Sequence, residues 1–365
     1  MVKSKFLSSG VYGCVYYPAY TCNGTEPAKK TTTVSKIVKH EFTTKTEIAI
    51  GRILKREKEN FILVTNNCLI NKMNLQKSAM RPQCKLFDKD AQLTKQYQIL
   101  YSTYIKAQEL DSYLNTTTSK LNIIKTYLLI CNRIETMIKY GIIHHDLHFG
   151  NILYNKTNLY VIDFGLSLIQ TEFIKNNKPD YVYLKKAIFT YSPKWKFWTL
   201  EYHFLCYLIH EGDILTKAVI ENTINIYLSK HTIINGINEQ FAYMFKYHAI
   251  KYFSSFIGLD KDTAVIELLN TYKTWDFYKI ALHYLDIYKN INMDTEAFFM
   301  LLLLFIHPVP SFRPLVSEVS RFNDTLMASY RIDVDQSHIH FSKQLSKSLK
   351  QDVSVLRPFD SAPDK

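Results

Sequence analysis

Two short polar segments, separated by one apolar strand, constrain this sequence more than any other feature. The first places Asp146 and Asn151 five residues apart, directly after a stretch with helical spacing. The second places Asp163 twelve residues after Asn151, behind the apolar pair Val161-Ile162 and before Phe164-Gly165. A turn that happened to be rich in Asp and Asn would have no reason to satisfy both spacings. The two segments therefore indicate one site.

These residue types suit the transfer of a phosphoryl group. One carboxylate can orient the attacking hydroxyl and accept its proton, while an amide and a second carboxylate can hold Mg²⁺ on the phosphates. Little covalent chemistry is required of the protein, which contributes position and charge.

The motifs can be compared with a known family. The segments His144-His145-Asp146-Leu147-His148-Phe149-Gly150-Asn151 and Asp163-Phe164-Gly165 resemble the catalytic loop and metal-binding motif of the eukaryotic-type protein kinase superfamily. By that resemblance Asp146 is the catalytic base, and Asn151 and Asp163 are the metal ligands. The resemblance also implies ATP and Mg²⁺ as cofactors and protein hydroxyls as acceptors.

Three further segments resemble, more narrowly, the divergent Ser/Thr kinases of nucleocytoplasmic large DNA viruses. They are Ser9-Gly10-Val11-Tyr12-Gly13-Cys14-Val15-Tyr16-Tyr17-Pro18, Val34-Ser35-Lys36-Ile37 and Glu47-Ile48-Ala49-Ile50-Gly51-Arg52-Ile53-Leu54. This resemblance implies a protein of the host cytoplasm, with packaging in the virion as an open alternative.

The turn near the N-terminus matches the glycine-rich loop that covers the phosphates in kinases. It carries Gly10 and Gly13, with Ser8 in place of the first glycine. Two glycines still let the backbone approach phosphate oxygens. By the resemblance, Val15 and Val34 are expected on the nucleotide.

A lysine on a predicted strand is the next candidate. The stretch around Lys36 alternates like a strand, with valines beside the lysine on one face. In kinases such a lysine contacts the α- and β-phosphates, so Lys36 is preferred to Lys39. Its expected partner is Glu47, which opens the apolar part of a helix, and Glu41 is the weaker candidate. A desolvated pair of this kind would hold the lysine in place.

Leu100 to Leu114 resembles the strand, hinge and helix that bind adenine in kinases. In that alignment Ser102 is the gatekeeper. The hinge residues Thr103 to Ile105, with Tyr104 at their centre, are expected to supply backbone hydrogen bonds.

The downstream similarity is thinner. Tyr191-Ser192-Pro193-Lys194-Trp195 stands where kinases have Ala-Pro-Glu, and Pro310–Pro314 resembles the segment whose arginine pairs with that glutamate. Because position 194 is lysine, Arg313 either pairs with another acid or lacks this buttress. The buried helix that follows carries Glu201 where the family has Asp.

Two histidines replace basic residues of the family's catalytic loop. His145 stands where many kinases have the arginine that binds a phosphorylated activation loop. Activity is therefore expected not to depend on phosphorylation of that loop, although it contains Thr171, Tyr181, Tyr183 and Thr190. His148 replaces the lysine typical of Ser/Thr kinases, which removes a fixed positive charge near the γ-phosphate. Specificity for Ser/Thr over Tyr then rests on the family alone.

Other functions stay open. The wording of residues 144–151 also resembles small-molecule kinases of the aminoglycoside and choline type, which generally lack the glycine-rich loop. Atypical protein kinases with the ending Ile-Asp-Phe-Gly-Leu-Ser are further relatives. A pseudokinase scaffold would use the same fold to bind partners. Such proteins commonly lose the strand lysine, the catalytic Asp or the metal-binding Asp, whereas Lys36, Asp146 and Asp163 are all present.

Charge and composition narrow the partners. The net charge of +12 over 365 residues attracts polyanions, so acidic protein substrates are a weak expectation. No compact Lys/Arg run marks a nucleic-acid patch. The longest apolar run, Ala297 to Ile306, is about half of what a membrane span needs. Neither a nucleic-acid nor a membrane partner is therefore predicted, and the oligomeric state stays unknown. Six scattered cysteines without metal spacing suggest reduced, mostly buried thiols in a cytosolic protein.

The expected fold is a bilobal, protein-kinase-like α+β domain. A strand-rich N-lobe is predicted over residues 1–104, a helical C-lobe over 105–330 and an irregular tail over 331–365. N-lobe strands are predicted at Lys5–Leu7, Cys14–Tyr17, Thr33–Lys39, Phe61–Val64 and Gln98–Tyr101, with one helix at Thr43–Lys55.

Overall fold

A five-stranded antiparallel sheet forms the N-terminal part of the computed structural model, which describes residues 2–10, 13–29, 31–88, 90, 92–117, 119–290, 296–314 and 318. In chain order its strands are β1 (Lys5–Ser9), β2 (Gly13–Tyr17), β3 (Thr33–Lys39), β4 (Asn66–Ile70) and β5 (Tyr97–Thr103). They lie side by side in the order β1-β2-β3-β5-β4. A helical part follows, so the expected kinase-like α+β fold class is confirmed.

Twelve helices of very different lengths occur within the described residues. The N-terminal part contributes α1 (Phe42–Ile53) and α2 (Lys72–Lys77). The others are α3 (Leu110–Leu114), α4 (Lys120–Lys139), α5 (Tyr181–Ala187), α6 (Leu200–His210), α7 (Lys217–Lys230), α8 (Thr232–Asn235), α9 (Glu239–Phe253), α10 (Lys261–Leu269), α11 (Trp275–Asn290) and α12 (Glu296–Phe305).

Seven short strands lie among these helices and shape the loops that carry the site. They are β6 (Gln108–Glu109), β7 (Ile142–Ile143), β8 (Ile152–Tyr154), β9 (Leu159–Val161), β10 (Leu168–Ile169), β11 (Ile174–Lys175) and β12 (Lys178–Pro179). Strands β6, β8 and β9 form one small sheet, and β7 pairs with β10. The segment with Asp146 and Asn151 therefore connects β7 to β8, and Asp163 follows β9.

The long helix α4 ends just before this segment. Its first turn is capped by Ser119, whose side chain accepts a hydrogen bond from the backbone N–H of Asn122 at 3.3 Å. The side chains of Ile124, Cys131 and Ile134 form an apolar stripe that is buried in the core. Gly141 follows with φ +68°, the left-handed conformation that glycine adopts at little cost. The chain thus turns sharply into β7 and the catalytic loop.

One predicted strand is wrong. Residues 61–64 form an extended link in which Phe61 makes an isolated bridge to Val161. The strand that completes the large sheet is β4, at Asn66–Ile70. Phe61 and Leu63 are buried in the core of the helical part, together with Ile50 and Leu54 from the end of α1. The apolar spacing of this segment therefore reflects packing across the two parts of the fold and not a strand ladder.

Residues 71–88, which belong to the stretch Asn71 to Asp90 whose structure the sequence leaves ambiguous, cover the outer face of the large sheet. Leu75, Met80 and Phe87 pack there against sheet residues such as Ile37 and Ile99. The covering segment is fixed further by a hydrogen bond of 2.6 Å from the Tyr16 hydroxyl to the carbonyl oxygen of Met80. The opposite face of the sheet is left for the cleft.

Two disulfides stabilise this part of the fold, and one of them ties the cover to the sheet. Cys14 on β2 is bonded to Cys84, and Cys22 is bonded to Cys68 on β4, with Cα atoms 5.7 and 5.9 Å apart. The expectation of reduced thiols is therefore wrong for these four, and it holds for Cys131 and Cys206, which are buried and free. The partners lie 70 and 46 residues apart, so spacing alone could not pair them. The cytosolic expectation loses the support it drew from reduced thiols.

We expect Cys22→Ser to lower the free energy of unfolding by about 2–4 kcal/mol, because the bond restricts the unfolded chain. Denaturant unfolding followed by fluorescence would measure the difference. Excess reductant supplies the control, since it should bring the wild-type protein and the variant to the same midpoint. A difference that persists in reductant would show that the serine acts through packing instead.

Several predictions concern residues that the structure does not describe. The described positions do not include the helices expected beyond residue 318, the tail at 331–365, or Val11 and Tyr12 of the glycine-rich turn.

The apolar run at Ala297 forms α12, whose Leu302 and Phe305 are buried in the core. No helix within the described ranges has the length and apolar character needed to cross a membrane.

Candidate active site

The strand lysine meets two carboxylates. Lys36, in the middle of β3, places its Nζ 3.1 and 3.0 Å from the two carboxylate oxygens of Glu47 on α1. The same Nζ lies 2.9 Å from Oδ1 of Asp163. Lys39 ends β3 and Glu41 precedes α1, and neither makes any of these contacts. The preferred pair from the sequence is thus the pair that the fold brings together.

The electrostatics of this cluster follow from its burial. Burial alone would lower the pKa of Lys36, but the carboxylates of Glu47 and Asp163 outweigh it and hold the pKa above its usual value. Burial likewise works to raise the pKa of the Asp163 carboxyl, and Lys36 overcomes it, so the pKa lies below its usual value. The lysine ammonium and the Asp163 carboxylate therefore stabilise one another in their charged forms.

The predicted nucleotide-binding side chains share one face of the large sheet. Val15 is the cross-strand partner of Lys36, and Val34 is the cross-strand partner of Ser102. Directly opposed residues on neighbouring strands point to the same face. Since Lys36 and Val34 are two residues apart on β3, all four lie on the cleft face. Whether adenine binds there remains a prediction.

The glycine-rich turn is closed by its own backbone. The Gly10 N–H donates to the carbonyl oxygen of Gly13 at 2.9 Å, between the ends of β1 and β2. A Cβ at Gly13 would stand 2.6 Å from the carbonyl oxygen of Ile37 on β3, so only glycine fits there. Ser8, on the exposed strand β1, is the cross-strand partner of Val15 on β2. Ser8 therefore lies on the same face of the sheet as Val15 and Lys36.

One backbone N–H group of the predicted hinge is already hydrogen-bonded within the protein. The backbone N–H of Tyr104 donates to the carbonyl oxygen of Thr32 at 2.8 Å, so it is already occupied. The Tyr104 ring stacks on Tyr17 of β2 with centroids 3.8 Å apart. The backbone hydrogen bonds to adenine that the sequence predicts for this hinge are therefore expected from Thr103 and Ile105, the residues that flank Tyr104.

In the catalytic loop an amide holds the proposed base. The Asn151 Nδ2 donates to the backbone oxygen of Asp146 at 2.9 Å and to its Oδ2 at 3.2 Å. His148 Nε2 lies 3.9 Å from the same Oδ2. The pKa of His148 is lowered, mainly by burial, which Asp146 opposes in part. The His144 ring pairs with the carbonyl oxygen of Ile162 at 2.9 Å, which links this loop to the strand that leads into Asp163.

Two residues of α11 that the sequence analysis missed hold the backbone of this loop. The carboxylate of Asp276 accepts hydrogen bonds from the backbone N–H groups of His144 at 2.7 Å and His145 at 2.9 Å. The Lys279 Nζ donates to the carbonyl oxygen of His145. Both side chains are buried. The available signal was an Asp and a Lys three positions apart in the apolar first turns of this helix.

A metal would find oxygen donors in the cleft. The donor bonds from Asn151 Nδ2 orient its amide and leave Oδ1 as an acceptor, and 34% of the Asp163 side chain is exposed. Amide and carboxylate oxygens are the donors that Mg²⁺ prefers, usually completed by substrate phosphates and water. Among the described residues no group of three or more His, Cys, Asp or Glu side chains could hold a metal by itself. Asn151 and Asp163 therefore fit a magnesium ion that arrives with its nucleotide.

His145 lies in an aromatic box and not on a phosphate-binding surface. Its ring is 5.6 Å from Phe189, 5.8 Å from Trp198 and 4.3 Å from Tyr202, measured between centroids. Burial lowers the pKa of His145 well below its usual value, so the ring is neutral at ordinary pH. A neutral imidazole enclosed by aromatic rings cannot bind a phosphorylated loop as an arginine does.

We therefore expect the rate of phosphoryl transfer to survive treatment with a protein phosphatase. After treatment with phosphatase and its removal, the enzyme should keep its initial rate within about twofold. Position 145 carries no cationic side chain that could bind a phosphorylated residue of the loop. The double variant Thr171→Ala with Thr190→Ala, both at exposed positions, is the matched test by mutation. A collapse of the rate in either experiment would contradict this expectation.

Histidines of α6 anchor the segment between α5 and α6. His203 Nε2 donates to the carbonyl oxygen of Trp195 at 3.0 Å, and His210 Nε2 lies 2.9 Å from the carbonyl oxygen of Ile188. Burial lowers the pKa of His203 to about 3, so this ring stays a neutral donor. Helix α6 begins at Leu200, because residues 195–198 form this loop and Thr199 caps the helix.

Arg313, the arginine of the Pro310–Pro314 segment, forms an ion pair with Glu201. Arg313 Nη2 lies 3.1 Å from Oε2 of Glu201, and its Nη1 bonds to Oε1 of the same carboxylate. Both side chains are fully buried, and Thr274 accepts a further hydrogen bond of 2.9 Å from Nη1. Of the two alternatives from the sequence, the first therefore holds. Glu201 acts as the partner of Arg313, and the loop-holding carboxylate is Asp276.

The comparisons agree with this geometry. Residues 90–190 match the family model of the ABC1 atypical kinase-like domain. The matched stretch contains the hinge, the catalytic loop and the Asp163 turn, and it leaves out the glycine-rich turn and Lys36. No curated protein matches the sequence. The chain is therefore similar to an atypical kinase domain over residues 90–190, and it has a protein-kinase-like fold.

Proposed function

We propose that the chain is an ATP- and Mg²⁺-dependent protein kinase that transfers the γ-phosphoryl group of ATP to Ser/Thr hydroxyls. The observation that carries the proposal is the cluster in which Lys36 bonds to both Glu47 and Asp163. It brings parts from the large sheet, from α1 and from the catalytic segment to one place, which a scaffold without catalysis would not require. The neighbouring bond from Asn151 to Asp146 supplies the second half of the site.

In this proposal each side chain has one task. Lys36, fixed by Glu47, neutralises and positions the α- and β-phosphates. The Asp146 carboxylate orients the acceptor hydroxyl and takes its proton as the new O–P bond forms, while the bond from the γ-phosphorus to the β–γ bridging oxygen breaks and ADP leaves. Asn151 and Asp163 hold Mg²⁺, whose role when bound is to neutralise charge on the phosphate oxygens.

The surface beside the catalytic loop supports a large acceptor. Trp195, on the loop anchored by α6, is 52% exposed. Lys185 and Lys186 in the last turn of α5 and Lys194 on the loop between α5 and α6 are also exposed. An open surface with an aromatic residue and several cations fits an acidic polypeptide better than a small sugar or choline, which a kinase would need to enclose. Acidic protein substrates are therefore part of the proposal.

The viral subgroup and its setting in the host cytoplasm are also proposed. They rest on the segments around Gly10, Val34 and Glu47 and on the general resemblance to divergent viral kinases. The small-molecule kinase and the pseudokinase remain the competing functions.

The test is transfer of label from γ-labelled ATP in the presence of Mg²⁺. Wild type and Asp163→Ala would be compared on acidic and basic acceptor proteins, on an aminoglycoside and on choline. Label in protein that disappears in the variant would support the proposal, and phosphoamino-acid analysis would separate Ser/Thr from Tyr. Label in the small acceptors alone would establish the small-molecule kinase. Silence on every acceptor, without Mg²⁺-dependent binding of ATP, would establish the scaffold.

A further inference from the structure

A buried lysine stands directly behind the catalytic loop. Lys279 on α11 is 6% exposed. Burying an ammonium group is costly unless it is hydrogen-bonded and charge-compensated. Lys279 donates to the carbonyl oxygen of His145. Burial lowers the pKa of Lys279, and the carboxylates of Asp146 and Asp276 act against that shift. Its position within the fold is therefore specified by the loop it faces.

The contacts fix the residue that carries the proposed base. Asp276 accepts the backbone N–H groups of His144 and His145, and Lys279, three positions further along the same helix, takes the carbonyl oxygen of His145. That carbonyl belongs to the peptide group that joins His145 to Asp146. His145 is held at φ 63°, in the left-handed region that non-glycine residues rarely adopt. Three hydrogen bonds from one helix hold this turn in place.

Charge distinguishes Lys279 from an ordinary structural clamp. His148, two residues after Asp146, stands where Ser/Thr kinases carry a lysine. An imidazole is not a fixed positive charge. The loop itself, residues 144–151, contains no Lys or Arg.

We propose that Lys279 is a positioning residue that supplies, from α11, the fixed positive charge which the catalytic loop lacks. It holds the peptide group that joins His145 to Asp146 and so orients the Asp146 side chain toward the acceptor hydroxyl. The role rests on the proposed phosphoryl transfer. It assigns to the reaction a residue 133 positions away from the base in the sequence.

The test separates charge from hydrogen bonding. Lys279→Met removes both, whereas Lys279→Gln keeps a donor for the His145 carbonyl and removes only the charge. Both variants should lower kcat about 10- to 100-fold and leave the affinity for MgATP and the KM for the acceptor within about threefold, because Asp146 acts in the chemical step. Lys273→Met, at an exposed position just before α11, is the matched control and should behave as wild type.

Rescue provides the decisive readout. His148→Lys, added to Lys279→Gln, restores a lysine beside Asp146 and should recover kcat at least about tenfold over the single variant. Lost packing would not be recovered in this way. Thermal unfolding of every variant checks the fold, and Lys279→Gln with its rescue keeps the test valid if Lys279→Met does not fold.

Three results would overturn the inference. Lys279→Gln with wild-type kcat would show that the charge is not needed, and failure of rescue by His148→Lys would reduce Lys279 to a structural clamp. A wild-type protein that transfers phosphate to no acceptor would remove the proposed function and the role of Lys279 with it. The first two outcomes leave the proposed function standing, so the two failures are distinguishable.

Discussion

Asp146→Asn should reduce kcat about 10²- to 10⁴-fold, the usual contribution of a positioned general base. The asparagine keeps the shape of the side chain and can still meet Asn151, whose Nδ2 lies 3.2 Å from Oδ2 of Asp146 in the wild type. Because the Lys36 cluster is untouched, the KM for ATP should stay within about threefold. Steady-state kinetics on an acceptor protein would measure both constants.

The matched control for this prediction is Lys36→Met. That variant removes the cation from the phosphate side of the cleft, so it should raise the KM for ATP as well as lower kcat. A loss of ATP affinity in Asp146→Asn, or an unchanged kcat, would contradict the assignment of Asp146 as the base.

The second large effect concerns stability. Arg313→Met should lower the free energy of unfolding by about 3–5 kcal/mol, because it leaves the Glu201 carboxylate buried without its counter-charge. Both members of the pair are fully buried, with side-chain exposure of 0%. Denaturant unfolding would measure the change, and the midpoint should fall while the slope stays constant.

Two controls sharpen this prediction. The double variant Arg313→Met with Glu201→Leu replaces the ion pair by apolar groups and should recover most of the loss. Lys261→Met breaks a pair whose acid, Asp213, has 84% of its side chain exposed, and it should cost about 1 kcal/mol or less. If Arg313→Met cost no more than Lys261→Met, the buried pair would not be a stabilising element of the fold.

What could be read from the sequence was local or periodic. Asp146, Asn151 and Asp163 were recognisable because phosphoryl transfer demands fixed residue types at short spacing. Lys36 and Glu47 followed from the alternation of a strand and the apolar start of a helix. The kinase-like fold class followed from these motifs and from the change from strands to helices along the chain.

What could not be read depends on contacts that cross the fold. Asp276 and Lys279 reach the catalytic loop only because α11 packs beneath it, more than 130 residues downstream in the sequence. The disulfide partner of Cys14 lies in the segment that covers the sheet, and the partner of Cys22 lies on β4, so both pairs depend on contacts between distant parts of the sequence. The extended link at Phe61 looked like a strand because a residue that packs into a distant core has the same apolar spacing as one on a pleated sheet.

The histidine anchors of α6 have a consequence for divergence. Both imidazoles hold the loop between α5 and α6 through its carbonyl oxygens, at Trp195 and Ile188. Every amino acid offers such an oxygen, so the exposed side chains between the anchors can be exchanged without moving the loop's main chain. Mutation can thus change the side chains of the proposed acceptor-binding surface while the main chain of this loop stays in place. Relatives of this chain could share its catalytic geometry and yet recognise different proteins.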